Sequence, residues 1–124
     1  MKVLALDFGA ARTGVAVSDP TGTVARPLTT VEGATSDDGF AKLLAVIETE
    51  APERVVVGMP LTLRGAHGEQ AAATAAFVER LQASLAAPVE TYDERFTSVL
   101  AGGDDARAAA HLLSGYLEWQ SRRT

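Results

Sequence analysis

Alternation of apolar and polar positions divides the chain into short extended runs first and helical runs later. Lys2–Asp7 reads as a strand of almost unbroken apolar character, and Thr13–Ser18 as a second strand joined to it by the turn FGAAR. DPTG then marks a hairpin turn into a third strand over Thr23–Thr30. From Asp37 to Glu50 the period changes. Phe40, Leu43, Leu44 and Ile47 recur at helical spacing, Ser36 stands where an N-cap belongs and Pro52 ends the run. Val55, Val56 and Val57 form a wholly apolar strand of the kind buried on both faces. After the loop GMPLTLRGAHG an alanine-rich helix spans Glu69–Leu85, a strand covers Val89–Tyr92 and a last helix spans Asp105–Trp119. Three meandering strands followed by strand–helix alternation predict an α/β fold, a mixed sheet flanked by helices.

Against this pattern, certain carboxylates are out of place. Asp7 directly follows Val3–Leu6, and Asp93 and Glu94 directly follow Val89–Tyr92. A carboxylate at the rim of a core is costly unless it is paired, hydrogen-bonded or bound to a cation. The last helix gives the third case. Ala108, Ala109, Leu112, Leu113 and Tyr116 make one apolar stripe with Asp105 at its head, whereas Asp104 lies about 100° round the helix. His111 falls off that stripe, and Tyr116 and Trp119 read as packing residues. Each acid also has a plain structural role open to it: Asp7 bonding turn amides, Asp104 or Asp105 capping the helix, Asp93 and Glu94 facing solvent. Brought together, they would repel one another until a divalent cation relieved the repulsion. An all-oxygen donor set favours Mg²⁺ or Mn²⁺, which suits phosphodiester hydrolysis.

Composition narrows the compartment and sharpens one conflict. The 124 residues suit one domain, residues 1–124, and contain no cysteine, which excludes a disulfide framework, a thiolate nucleophile and a sulfur-based zinc site. No run is long and apolar enough for a membrane span or a signal peptide, so a cytoplasmic protein without membrane contact is expected. A net charge of −5 argues against broad binding to a polyanion. Yet only Lys2 and Lys42 are lysines, and several arginines (Arg12, Arg26, Arg64, Arg95) lie in or beside turns, where a planar fork suits phosphate.

The segments LALDFGAARTGVAVSD, VVVGMPLTLRGAHGEQ and TYDERFTS, with the closing DDARAAAHLLSGYL, closely resemble the YqgF/RuvX family. Its members are ribonuclease H-like proteins described as Holliday junction resolvases or as nucleases maturing the precursor of small-subunit ribosomal RNA. The resemblance implies a single ribonuclease H-like nuclease domain with a five-stranded mixed sheet, strands one to three antiparallel. It implies a catalytic and metal-binding set of Asp7, Glu94 and Asp105, with Mg²⁺ or Mn²⁺. It further implies nucleic-acid contacts from Arg12, Arg64 and Arg95, a capping Thr97, and a tight turn between strands at Gly9 and Gly14. The chain departs from the family where Thr62 replaces a usual asparagine, and where VLAGGD replaces a longer, often basic helical segment. The expected substrate is precursor ribosomal RNA, with branched DNA the alternative and a non-catalytic RNA- or transcription-associated module a third reading; monomer and homodimer both remain open. DFGAARTG also resembles the phosphate hairpin of actin-like kinases, but 124 residues cannot supply the two lobes those need.

Overall fold

The computed structural model describes residues 1–60, 69–94 and 105–123; of Pro60, Glu69, Gln70 and Glu94 only the backbone is described. The elements follow in the order β1 (Val3–Asp7), β2 (Arg12–Ser18), β3 (Ala25–Glu32), α1 (Asp37–Glu50), β4 (Arg54–Pro60), α2 (Glu69–Ser84), β5 (Val89–Glu94) and α3 (Asp105–Arg123). The strands form one sheet in the order β3-β2-β1-β4-β5. β1 pairs antiparallel with β2 and β2 with β3, whereas β1–β4 and β4–β5 are parallel. The mixed sheet with three antiparallel strands first is the one expected from the sequence.

The sheet is central because β1 and β4 are apolar on both faces. Val3 to Leu6 and Val55 to Val57 are all fully buried. Leu4, Leu6, Val15, Val55 and Val57 face Phe40, Leu43 and Ile47 of α1 and Phe77, Val78 and Leu81 of α2. On that side Phe8 stacks on Phe77 with ring centroids 4.3 Å apart. Val3, Ala5, Ala16 and Val56 face Ala109, Leu112, Leu113 and Tyr116 of α3 on the other side. Among the described residues no helix is long and apolar enough to cross a membrane.

Helix α1 begins and ends at the expected residues. Ser36 Oγ accepts a bond from the Gly39 amide at 3.0 Å and donates to the Gly33 carbonyl at 2.7 Å, locking the first turn to the preceding loop. The helix closes on Ala51, whose amide bonds the Ile47 carbonyl while its φ of 48° is left-handed. The third strand lies two residues later than the pattern suggests. Asp19 explains its start: its carboxylate accepts from the amides of Thr23 and Val24 at 2.7 and 2.9 Å and from the Thr21 hydroxyl, so Thr23 and Val24 belong to the turn. α3 runs four residues beyond Trp119, to Arg123.

Left-handed backbone costs an alanine about 1–2 kcal/mol, most of which glycine avoids. Ala51→Gly should therefore raise the unfolding free energy by about 0.5–1 kcal/mol, read from the urea midpoint at unchanged slope.

Candidate active site

Strand alternation decides which carboxylates share a face. Val3 and Ala5 point to α3, so Asp7, two residues on, does the same at the carboxyl end of β1. In register, Asp7 lies opposite Gly14 of β2. Gly14 meets α3 directly: a Cβ built there would fall 1.8 Å from the Asp105 carbonyl oxygen and 2.9 Å from the Ala106 amide nitrogen. The first turn of α3 thus sits on the bare backbone of β2, beside Asp7. Neither Gly14 nor Gly9 has a positive φ. The expected turn role of Gly14 is therefore corrected: it is an interior strand residue kept small by the helix above it.

Asp105 is the first residue of α3, and its side chain is 28% exposed. The stripe below it is buried as the sequence implies, from Ala108 and Ala109 to Leu112, Leu113 and Tyr116. Arg12 opens β2, and its Nε lies 3.2 Å from Asp105 Oδ2. Asp7 is half-buried, and the Asp7 carboxyl is pushed up to about 6, first by loss of water and second by the negative charge of Asp105. Two carboxylates that repel one another at the edge of a core form a set of hard oxygen donors suited to a divalent cation.

The remaining expected site residues divide by position. Parallel pairing of β1, β4 and β5 brings the carboxyl ends of these strands to one edge of the sheet. Backbone pairing sets Glu94 opposite Pro60, at the carboxyl end of β5. Asp93 is exposed. Arg64, Arg95, Thr97 and Asp104 lie outside the described residues. Among the described residues no group of three acidic or imidazole side chains is gathered closely enough to hold a metal ion.

Two features of the site are not visible in the pattern. One is the contact of Gly14 with α3; a glycine inside an apolar strand is its only sequence signal. The other is the anchoring of α3 at its far end. Tyr116 donates to Glu90, and Arg54 Nη1 donates to Tyr116 Oη at 2.8 Å. Tyr92, Tyr116 and Trp119 form a ring cluster with centroids 5.7 to 5.9 Å apart. The packing role read for Tyr116 is borne out, and Trp119, 39% exposed, joins the rim of the same cluster. His111 is exposed, as its place off the stripe requires.

Residues 1–104 match the family model of RuvX, described as Holliday junction resolvase. The chain belongs to the RuvX family. A protein of Chloroflexus aggregans named "Putative pre-16S rRNA nuclease" is 48% identical over 99 residues, covering 80% of this chain and 70% of that protein. One of the same name from Moorella thermoacetica is 37% identical over 133 aligned positions, covering 95% of each. In fold, the chain resembles Thermus thermophilus RuvC in complex with Holliday junction substrate, with a TM-score of 0.62 and 20% identity over 98% of this chain and 96% of that one. The fowlpox virus resolvase bound to Holliday junction DNA gives 0.57 at 12% identity, covering 97% and 99%. The ribonuclease H-like α/β fold implied by the sequence is thus the one observed.

The raised Asp7 carboxyl makes a signed prediction for the metal-free protein. The folded state holds the proton more tightly than the unfolded chain, whose Asp has an ordinary value near 3.8. The stabilising contribution is complete below pH 3.8 and is lost as pH rises to about 6. Asp7→Asn should therefore match the parent near pH 4 and exceed it by about 1–3 kcal/mol at pH 7, a range lowered for partial exposure. Urea unfolding at the two pH values measures the gap. Gly14→Ala should do the reverse. Its Cβ cannot share space with the Asp105 carbonyl, so α3 must lift and stability should fall by at least about 2 kcal/mol.

Proposed function

We propose that this chain is a divalent-metal-dependent nuclease that hydrolyses phosphodiester bonds in the precursor of small-subunit ribosomal RNA. The observation that carries the reading is the placement of Asp7 and Asp105, 98 positions apart in sequence, on one sheet face with Gly14 between them. The names of the relatives from Chloroflexus aggregans and Moorella thermoacetica support the substrate. Asp7, Asp105 and Glu94 would hold the cation, Mg²⁺ or Mn²⁺ by their oxygen chemistry. When bound, the cation activates water and offsets charge on the attacking and leaving oxygens. The protein's own part is to keep the acids in place before substrate arrives, on two strands and the first turn of a helix. Arg12, with Arg64 and Arg95, would meet the phosphate backbone. The whole of residues 1–124 would form one catalytic domain, working in the cytoplasm as a monomer or a homodimer.

Branched DNA is the second reading, favoured by the family's description and by the fold shared with RuvC on its junction. It requires two cuts and hence a dimer. A four-way junction that stays intact beside a strictly monomeric species in light scattering would leave RNA as the substrate.

Asp7→Asn should abolish cleavage of precursor RNA in Mg²⁺ or Mn²⁺ while the protein remains folded by circular dichroism. Cleavage at the parent's rate would refute the proposed chemistry.

A further inference from the structure

Arg12 and Asp105 pose a problem for the proposed nuclease, because the acid meant for a cation already holds one. The ion pair is 3.2 Å long, with the arginine side chain 58% exposed and the aspartate 28%. Asp105 is Arg12's sole ion-pair partner among the described residues. Nor is the guanidinium needed to place the helix. The backbone of Asp105 is already fixed against Gly14, and α3 is anchored below by its buried stripe and by Tyr116. A guanidinium left on Asp105 would repel a divalent cation arriving at the same carboxylate, and a nearby phosphate offers that guanidinium an alternative anion.

We propose that Arg12 is a positioning residue that exchanges partners. Without nucleic acid it holds Asp105 and weakens cation binding; a backbone phosphate of the substrate draws it away and frees the carboxylate. Substrate and cation then strengthen each other's binding, since coupling between two sites is reciprocal. The site would load its metal chiefly when nucleic acid is present. This inference rests on the nuclease reading and adds an order of events to it.

Calorimetric titration with Mn²⁺ tests the exchange without measuring turnover. The probe is a phosphorothioate oligoribonucleotide, checked for integrity after each run. Arg12→Gln should bind Mn²⁺ about two- to five-fold more tightly than the parent in the absence of oligonucleotide, the range expected for removing a partly exposed ion pair. The enhancement caused by the oligonucleotide should shrink by the same factor, and Arg12→Lys should restore part of it. An arginine that merely orients Asp105 predicts weaker Mn²⁺ binding in Arg12→Gln, and one that only touches substrate predicts no change. Either result, with the variant folded by circular dichroism, overturns the exchange and leaves the nuclease reading standing. A parent that binds no Mn²⁺ with or without oligonucleotide overturns both.

Discussion

The contact between the backbone of Gly14 and the first turn of α3 is the constraint from which the site follows. Helices pack on sheets through side chains, which keeps their axes apart. Here one residue without a side chain lets the helix start close against the strand, with Asp105 at that point and Asp7 across the ladder. The closeness has a cost: Asp7 loses water and feels a like charge. Burial of the stripe opposes that cost. Leu112 and Leu113 are fully buried and contribute about 1.5–3 kcal/mol each, together more than the carboxylate loses, and Tyr116 is buried beside them. The apolar face of α3 therefore holds its acidic end where electrostatics alone would not put it.

An acidic protein proposed to act on a polyanion must solve its attraction locally. Net charge of −5 repels nucleic acid at long range, although beyond roughly 8 Å that field is screened at physiological salt. Several cations are moreover committed internally, Lys2 to Glu50, Arg54 to Glu90 and Arg80 to Asp37. Arg80 also lies over the Phe40 ring at 3.9 Å, so it ties α2 to α1. Arg12 differs from these because its partner is itself one of the proposed metal-binding acids. Positive charge at the proposed site would thus come from Arg12 and from a bound cation, which is consistent with a protein whose overall charge has the wrong sign for its proposed substrate.

Much of the fold was legible in the sequence because the apolar pattern and the burial pattern coincide. Ser36 and Pro52 bracket α1, and counting from Asp105 finds the buried face of α3. The start of β3 was misplaced because Asp19 reaches five residues along the chain to bond the Val24 amide, a tertiary choice that no propensity records. β3 also shifts register opposite Val15 and Ala16, which breaks simple alternation along it. The acids were legible as anomalies, carboxylates at the ends of apolar runs. Their meeting was not, since it depends on Gly14, and a glycine inside VAV-type sequence reads equally well as a turn. The ion pair of Arg12 with Asp105 spans 93 positions and leaves no trace in spacing.

What remains is why the acids should stay put. α3 is held at both ends of its buried span: at Asp105 by the strand backbone, and eleven residues further, about 16 Å along the axis, by Tyr116 in its bonds to Arg54 and Glu90. Glu90 belongs to β5, the strand that also carries Glu94, and Arg54 begins β4, the strand between β5 and β1. The network therefore ties α3 to β5, whose carboxyl end bears Glu94, and to β4, which pairs with β1, the strand of Asp7. Rotation of α3 about its axis would break the Tyr116 bonds and unpack Leu112 from the bare face of Gly58, where an added Cβ would lie 2.9 Å from it. A cation arriving at the edge of the sheet would thus find acids on elements already fixed to one another, and mobility would be left to side chains such as Arg12.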